Sequence, residues 1–231
     1  MVPDDLAERL AAVRRRIKSA AGLAGRDPGS VTLISVSKTH PAEVVDRAVA
    51  AGAGDVGENR VQEARAKKPG VRPARWHLIG PLQRNKVRAA LEVFDVIHTV
   101  DRPEIVERLQ FLLEQHWPGR VLDVLLEVNV GDEAQKAGVA PSGARELLET
   151  AVARNRLAVC GLMAIPPFDR EPETSRPYFR ELREIRDRLQ DAVGCPLPEL
   201  SMGMSHDFEI AIEEGATMVR VGTAIFGPRG V

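Results

Sequence analysis

Short β-branched runs and amphipathic stretches take turns along almost the whole of this chain, and that alternation leaves few folds open to it. Strand-like runs fall at 31–37, 55–58, 76–79, 96–99, 121–129, 159–165, 199–202 and 218–221. Helical spacing occupies the gaps, at 41–51, 61–67, 83–91, 103–115, 141–153, 174–192 and 205–214. The strand runs, such as Val31-Thr32-Leu33-Ile34-Ser35-Val36, are too continuously apolar for a sheet with one wet face. They call for parallel strands covered by helices. Eight such strands, nearly all followed by a helix, predict an α/β chain folded as a single closed (β/α)8 TIM-type barrel.

An open doubly wound sheet is the competing architecture, and Gly52-Ala53-Gly54-Asp55-Val56-Gly57 has the literal GxGxxG form of its nucleotide loop. That loop must follow a strand and open a helix, so that phosphate meets the helix N-terminus. Here the glycines follow a helix and open a strand, and the motif is set aside. One barrel of this kind uses about 200 to 250 residues, so residues 1–231 are expected to form one domain. An extra helix precedes the first strand: Leu6, Leu10, Val13, Ile17 and Ala20 or Ala21 recur at helical spacing behind Pro3 and Asp4.

Composition narrows the function classes. With 32 Lys and Arg against 33 Asp and Glu, no net field recruits nucleic acid or an anionic membrane. The basic runs Arg14-Arg15-Arg16 and Lys67-Lys68 read as solvated helix faces. Two cysteines, Cys160 and Cys195, make neither a disulfide framework nor a metal spacing. No leader-like or membrane-length apolar stretch is present, so the expectation is a cytoplasmic protein.

In a barrel, chemistry collects where the strands end and the βα loops begin. Lys38 shares its parity with Thr32, Ile34 and Val36, so an inward apolar face ends in an amine. Burial lowers an ammonium pKa, which suits a lysine that attacks aldehydes; a lysine reaching up to water is the plain alternative. Ser35 and Lys38 match an SxxK pattern, but on a strand and with no companion motifs, so an acyl-enzyme is rejected. The last two strands end in Ser201-Met202-Gly203-Met204-Ser205 and Gly222-Thr223-Ala224. Small residues there let backbone amides approach an anion, Ser201 and Thr223 add hydroxyls, and Ser205 or Asp207 is placed to cap a helix. Arg220, on the parity of Met218 and Gly222, points a permanent charge inward and requires a partner, either a structural carboxylate or a ring nitrogen of a heteroaromatic cofactor. An amine, a phosphate cradle and a guanidinium facing a ring nitrogen are the three contacts of pyridoxal 5′-phosphate (PLP).

These residues carry a family resemblance. Val36-Ser37-Lys38-Thr39, Gly57-Glu58-Asn59, the run Trp76 to Lys86, Gly161-Leu162-Met163-Ala164-Ile165, Ser201 to Ser205 and Val219 to Gly227 resemble, in order, the pyridoxal-phosphate homeostasis proteins, which share the alanine racemase N-terminal barrel. The resemblance spans almost the whole chain. It implies that Lys38 forms the imine with PLP, that Ser201, Gly222 and Thr223 hold phosphate, that Arg220 faces the pyridine nitrogen and that Asn59 lies near the ring. Arg60 and His206 depart from the usual pattern, which puts rim contacts in question. His77 and Glu58 are acid/base candidates at strand ends, but each reads as readily as a hydrogen-bonded structural group.

Alanine racemases, which the barrel also resembles, bring a tyrosine as second base from an added domain. Here the only tyrosine, Tyr178, lies in a helix of the barrel itself, and the barrel fills the 231 residues. The expectation is therefore a carrier that buffers PLP and delivers it to apo-forms of PLP-dependent enzymes, without efficient catalysis and as a monomer. A PLP-dependent racemase of low activity is the alternative, and a cofactor-free Schiff-base aldolase is a third.

Overall fold

The structure, a computed structural model, describes residues 5–131, 133 and 137–227. Its elements run α1 (Asp5–Leu23), β1 (Thr32–Val36), α2 (Ala42–Ala50), β2 (Asp55–Glu58), α3 (Val61–Lys67), β3 (Arg75–Leu78), α4 (Val87–Val93), β4 (Val96–Val100), α5 (Pro103–His116), β5 (Leu122–Glu127), α6 (Ala144–Val152), β6 (Leu157–Met163), α7 (Arg176–Val193), β7 (Glu199–Met204), α8 (Phe208–Glu213), β8 (Met218–Val221) and α9 (Thr223–Phe226). All eight strands pair in parallel in sequence order, and β8 returns to β1 with Thr32 opposite Met218 and Ile34 opposite Arg220. The sheet is a closed barrel, as the alternation predicts, and closure leaves no free edge.

Two apolar bodies hold it together. The larger lies between sheet and helices, built from outward residues such as Val56, Leu78 and Leu200 packed on Val45, Leu109 and Leu182. The smaller is the barrel interior, where Ile34, Val96, Leu125, Met163 and Met218 meet. Each fully buried aliphatic side chain contributes roughly 1.5–3 kcal/mol. Gly57 serves this interior directly: a Cβ there would come within 2.8 Å of Ile34 Cγ2. Gly161 lets β6 and β7 approach, since its Cβ would lie 1.8 Å from the Glu199 carbonyl oxygen.

The N-terminal helix has a structural task. After β7 and β8 come only α8 and α9, too short to cover the barrel wall, and α1 packs on both. Leu6, Leu10, Val13 and Ile17 form its buried stripe. Arg9 donates to the Ile225 carbonyl at 2.7 Å, and Arg26, just past the helix, donates to Ile212 at 2.7 Å. Pro3 and Asp4, read as the start signal, lie outside the described residues.

Differences from the sequence reading concentrate at element ends. β7 runs on to Met204, past the expected end at Met202. α4, α6 and α7 each begin a few residues late, behind 3₁₀ turns at Arg84–Lys86, Pro141–Gly143 and Pro172–Ser175. α9 is an addition. In the GxGxxG run, Gly52 makes a turn at φ +100° and Gly57 lies within β2, so the motif is an entry to a strand and not a phosphate loop.

Candidate cofactor site

At the C-terminal mouth of the strands a cavity of about 360 Å3 opens between the loops after β1, β2, β6, β7 and β8. Lys38, Asn59, Arg220, Gly222 and Thr223 all line it, so five of the residues singled out from sequence converge on one space. Ile79 and Val36 form an apolar wall, while Ile165, Pro166, Pro167 and Phe168 overhang the opening. Phe168 is 78% exposed and lies 5.9 Å from the His206 ring. His206 also lines the cavity, whereas the exposed Arg60 pairs with Glu63 at 3.5 Å and is not part of the lining.

Lys38 is half-buried, and the residues on both sides of it are tied to α3. Lys67 Nζ donates to the Ser37 carbonyl at 2.9 Å and to Glu58 Oε1 at 2.7 Å, and Ser37 Oγ donates to the same carboxylate oxygen at 2.6 Å. On the other side the Thr39 amide donates to Glu63 Oε2 at 3.2 Å. Thr39 adopts φ 70°, a left-handed conformation that a β-branched residue takes at a cost. The turn carrying Lys38 is thus clamped from outside the barrel. Burial pushes the Glu58 carboxyl up, and hydrogen bonds from Lys67 and Ser37 oppose this. Lys67 is correspondingly not on a solvated face as its basic run suggested: it is 8% exposed and paired.

Arg220 is 3% exposed. Its NH1 donates to the Ser201 carbonyl and to Ser201 Oγ, both at 2.7 Å, and its NH2 donates to the Ala164 carbonyl at 2.8 Å. Burial lowers its pKa to about 10, against the pull of Glu127 and Asp207, so it is charged at neutral pH. Ser201 is fully buried and sits beneath Arg220. The hydroxyl of this loop that lines the cavity is instead Ser205, which accepts from the Gly222 amide at 3.1 Å and ties the β7 and β8 loops together. The extra two residues of β7 account for the change: Ser201 lies opposite Met218, deep in the strand, while Met204 lies opposite Arg220. Asp207 does not cap α8 with its side chain. It turns back to accept from the Met204 amide at 2.7 Å and from Ser175 Oγ at 3.0 Å.

Asn59 is placed by a close backbone approach, for a Cβ on Gly80 would lie 2.3 Å from the Asn59 carbonyl oxygen. His77 is fully buried and bonds Asp55 and His98, and Glu58 lies outside the sheet with Lys67; neither lines the cavity. Tyr178 packs on the outer core from α7 and does not line the cavity either. Glu127, at the end of β5, was missed by the sequence reading. Burial, then Asp101, raises its pKa to about 7, with Arg220 opposing. Its signal was its parity with the inward Leu125. Among the described residues no cluster suited to a metal is present, and no helix is long and apolar enough to cross a membrane.

Fold and cavity together define a PLP-type parallel barrel: an amine at the end of the first strand, a guanidinium at the last, and small hydroxylated loops beside it. Comparison with known proteins agrees. The family "Alanine racemase, N-terminal domain" matches residues 9–230. The "Pyridoxal phosphate homeostasis protein" of Aquifex aeolicus is 46% identical over 96% of this chain and 97% of its own length. That of Escherichia coli K12 is 42% identical over 98% and 97%. The structure of PipY from Synechococcus elongatus PCC7942 with PLP bound superposes with a TM-score of 0.83 at 39% identity, covering 96% of this chain and all of that one. An alanine racemase from Clostridium difficile 630 superposes at 0.76 over 98% of this chain and 60% of its own, at 12% identity, which is a likeness of fold. The chain belongs to the pyridoxal phosphate homeostasis protein family, within the alanine racemase N-terminal barrels.

Two substitutions test the electrostatics. Lys67→Ala leaves Glu58 buried with its pair broken and is expected to cost about 3–5 kcal/mol in urea unfolding at pH 7, most of it recovered in Glu58→Leu/Lys67→Met. For Glu127 the folded pKa lies above the unfolded one, so between about pH 4.5 and pH 7 the folded state keeps a proton the unfolded chain has lost. Stability through this group therefore falls as pH rises across that window. Glu127→Gln should gain on the wild type by up to about 3 kcal/mol from pH 4.5 to pH 7.5, and parallel pH profiles would contradict the assignment.

Proposed function

We propose that this chain binds PLP reversibly at Lys38 and serves PLP homeostasis, holding the cofactor and yielding it to apo-enzymes without turning over amino acids efficiently. The observation that carries this reading is the convergence of Lys38, Arg220, Ser205 and Thr223 on one cavity in a chain whose close relatives are named for PLP homeostasis.

The donor set fits the group. PLP supplies an aldehyde that condenses reversibly with an amine, and a pyridine ring whose electron demand is weak while its nitrogen is unprotonated. Lys38 offers the amine, half-buried in a turn whose flanks are clamped, so its approach is set before any ligand arrives. Arg220 spends three of its five N–H groups on Ser201 and Ala164 and keeps two for an acceptor in the cavity it lines. Because it stays charged, it donates to a ring nitrogen and disfavours a proton there. Ser205 and Thr223 provide hydroxyls, and the bare Gly222 provides room, for a phosphate next to them. Asn59 borders the ring side, and Val36 with Ile79 gives the ring an apolar face. We assign Ser201 to orienting Arg220, with Ser205 and Thr223 at the phosphate.

Tyr178 lies on the outer face of the barrel, so it brings no second acid or base to the cavity, which supports holding over racemisation. Together with the absence of a membrane-length helix among the described residues, the family suits a cytoplasmic protein, monomeric and with apo-enzymes as recipients.

The test pairs colour with transfer. Wild-type protein incubated with PLP should stay yellow through gel filtration, and Lys38→Ala should not. The yellow protein should restore activity to a PLP-stripped enzyme while leaving L-alanine optically unchanged. Colour retained in Lys38→Ala would refute the attachment, and steady racemisation over many turnovers would make the weakly catalytic alternative correct.

A further inference from the structure

The barrel interior carries a line of polar side chains that the proposed cofactor contacts do not use. Asp55 Oδ1 lies 2.9 Å from His77 Nε2, His77 Nδ1 lies 2.9 Å from His98 Nε2, and His98 Nδ1 lies 2.9 Å from Ser201 Oγ. Ser201 Oγ in turn takes the 2.7 Å bond from Arg220. His77, His98 and Ser201 are all 0% exposed. Asp55, at the start of β2, borders a cleft at the opposite, N-terminal mouth beside Arg14 and Lys18. The line therefore crosses the barrel from one end to the other, through β2, β3, β4, β7 and β8.

Its polarity follows from the donors alone. Arginine only donates, so Ser201 Oγ accepts from Arg220 and its single proton has His98 Nδ1 as its acceptor. An imidazole keeps at least one N–H, which places the His98 proton on Nε2, aimed at His77 Nδ1. His77 then carries its own proton on Nε2 and donates it to the Asp55 carboxylate. Every bond runs the same way, from guanidinium to carboxylate, and every buried polar atom in the line is satisfied. Reversing any link would leave the Ser201 hydroxyl proton buried without an acceptor, which costs more than a hydrogen bond returns. Burial, with His77, Arg220 and Arg75 adding to it, holds the His98 pKa well below the usual value, in keeping with a neutral ring.

We propose that His98, backed by His77 and Asp55, is a positioning residue for Arg220: through Ser201 it holds the guanidinium so that its remaining N–H groups face the cavity. Without the acceptor at His98, the Ser201 hydroxyl turns its proton elsewhere and the bond that orients Arg220 loses its direction. His98 touches no ligand in this scheme and acts only through Ser201. The inference rests on the reading of Arg220 as a cofactor contact, but its first test needs no cofactor.

Long-range 15N NMR of the ligand-free protein at neutral pH should show His77 and His98 both as neutral Nε2–H tautomers. An Nδ1–H tautomer or a cationic ring at His98 would overturn the relay, whether or not PLP binds. The second test compares His98→Leu with His98→Asn, whose Oδ1 stands near the place of Nδ1 and can accept from Ser201. His98→Leu should weaken PLP binding about tenfold and shift the pH midpoint of the bound cofactor's absorption band, while His98→Asn restores both. Equal binding and equal spectra in the leucine variant would refute the positioning role. Failure of the wild type to bind PLP would refute the proposed function and leave the tautomers to judge the relay.

Discussion

A guanidinium cannot shed its charge inside a protein, and Arg220 is buried in one. Leaving such a group unpaired would cost more than the whole chain's margin of stability. Much of the barrel's upper half is arranged around that demand. β6 ends so that the Ala164 carbonyl faces NH2, and β7 shifts its register between Ser201 and Met204 so that both oxygens of Ser201 face NH1. Asp207, and Glu127 once it ionises above about pH 7, add favourable charge. A buried charge has become a fixed point of the fold.

The amine across the cavity is held by a second polar cluster on the other side of the sheet. Glu58 and Lys67 pair beneath α3 and grip Ser37, while Glu63 grips the strained Thr39. One cluster works from within the barrel and one from without, and they meet at the mouth where β1 and β8 are neighbours. This keeps Lys38 and Arg220 in register on one cavity. Rigidity of that kind suits the reversible binding of PLP that we propose for this site.

Much of this was legible in the sequence. Eight apolar runs with helices between them dictated a closed parallel barrel, and strand parity alone turned Lys38 and Arg220 inward. The resemblance of the motifs to PLP homeostasis proteins pointed to the family that the comparisons found. Parity could not place Ser201, because depth along a strand depends on where the strand ends, and β7 outruns its apolar pattern by two residues. Lys67 looked like any lysine on a basic helix end, since its partner Glu58 comes from a neighbouring strand that only the closed sheet brings underneath it. His98 and Glu127 stayed silent for the same reason: each is one polar residue in an apolar strand, and its meaning lies in partners far along the chain.

Reduction of the PLP-loaded protein with borohydride, followed by digestion and mass spectrometry, tests most directly whether Lys38 is the anchor of the site. A pyridoxyl-phosphate mass increment on the peptide that contains Lys38, and on no other, is the predicted result. A label on another lysine such as Lys67 or Lys86, or no label at all in protein that has taken up the cofactor, would contradict it.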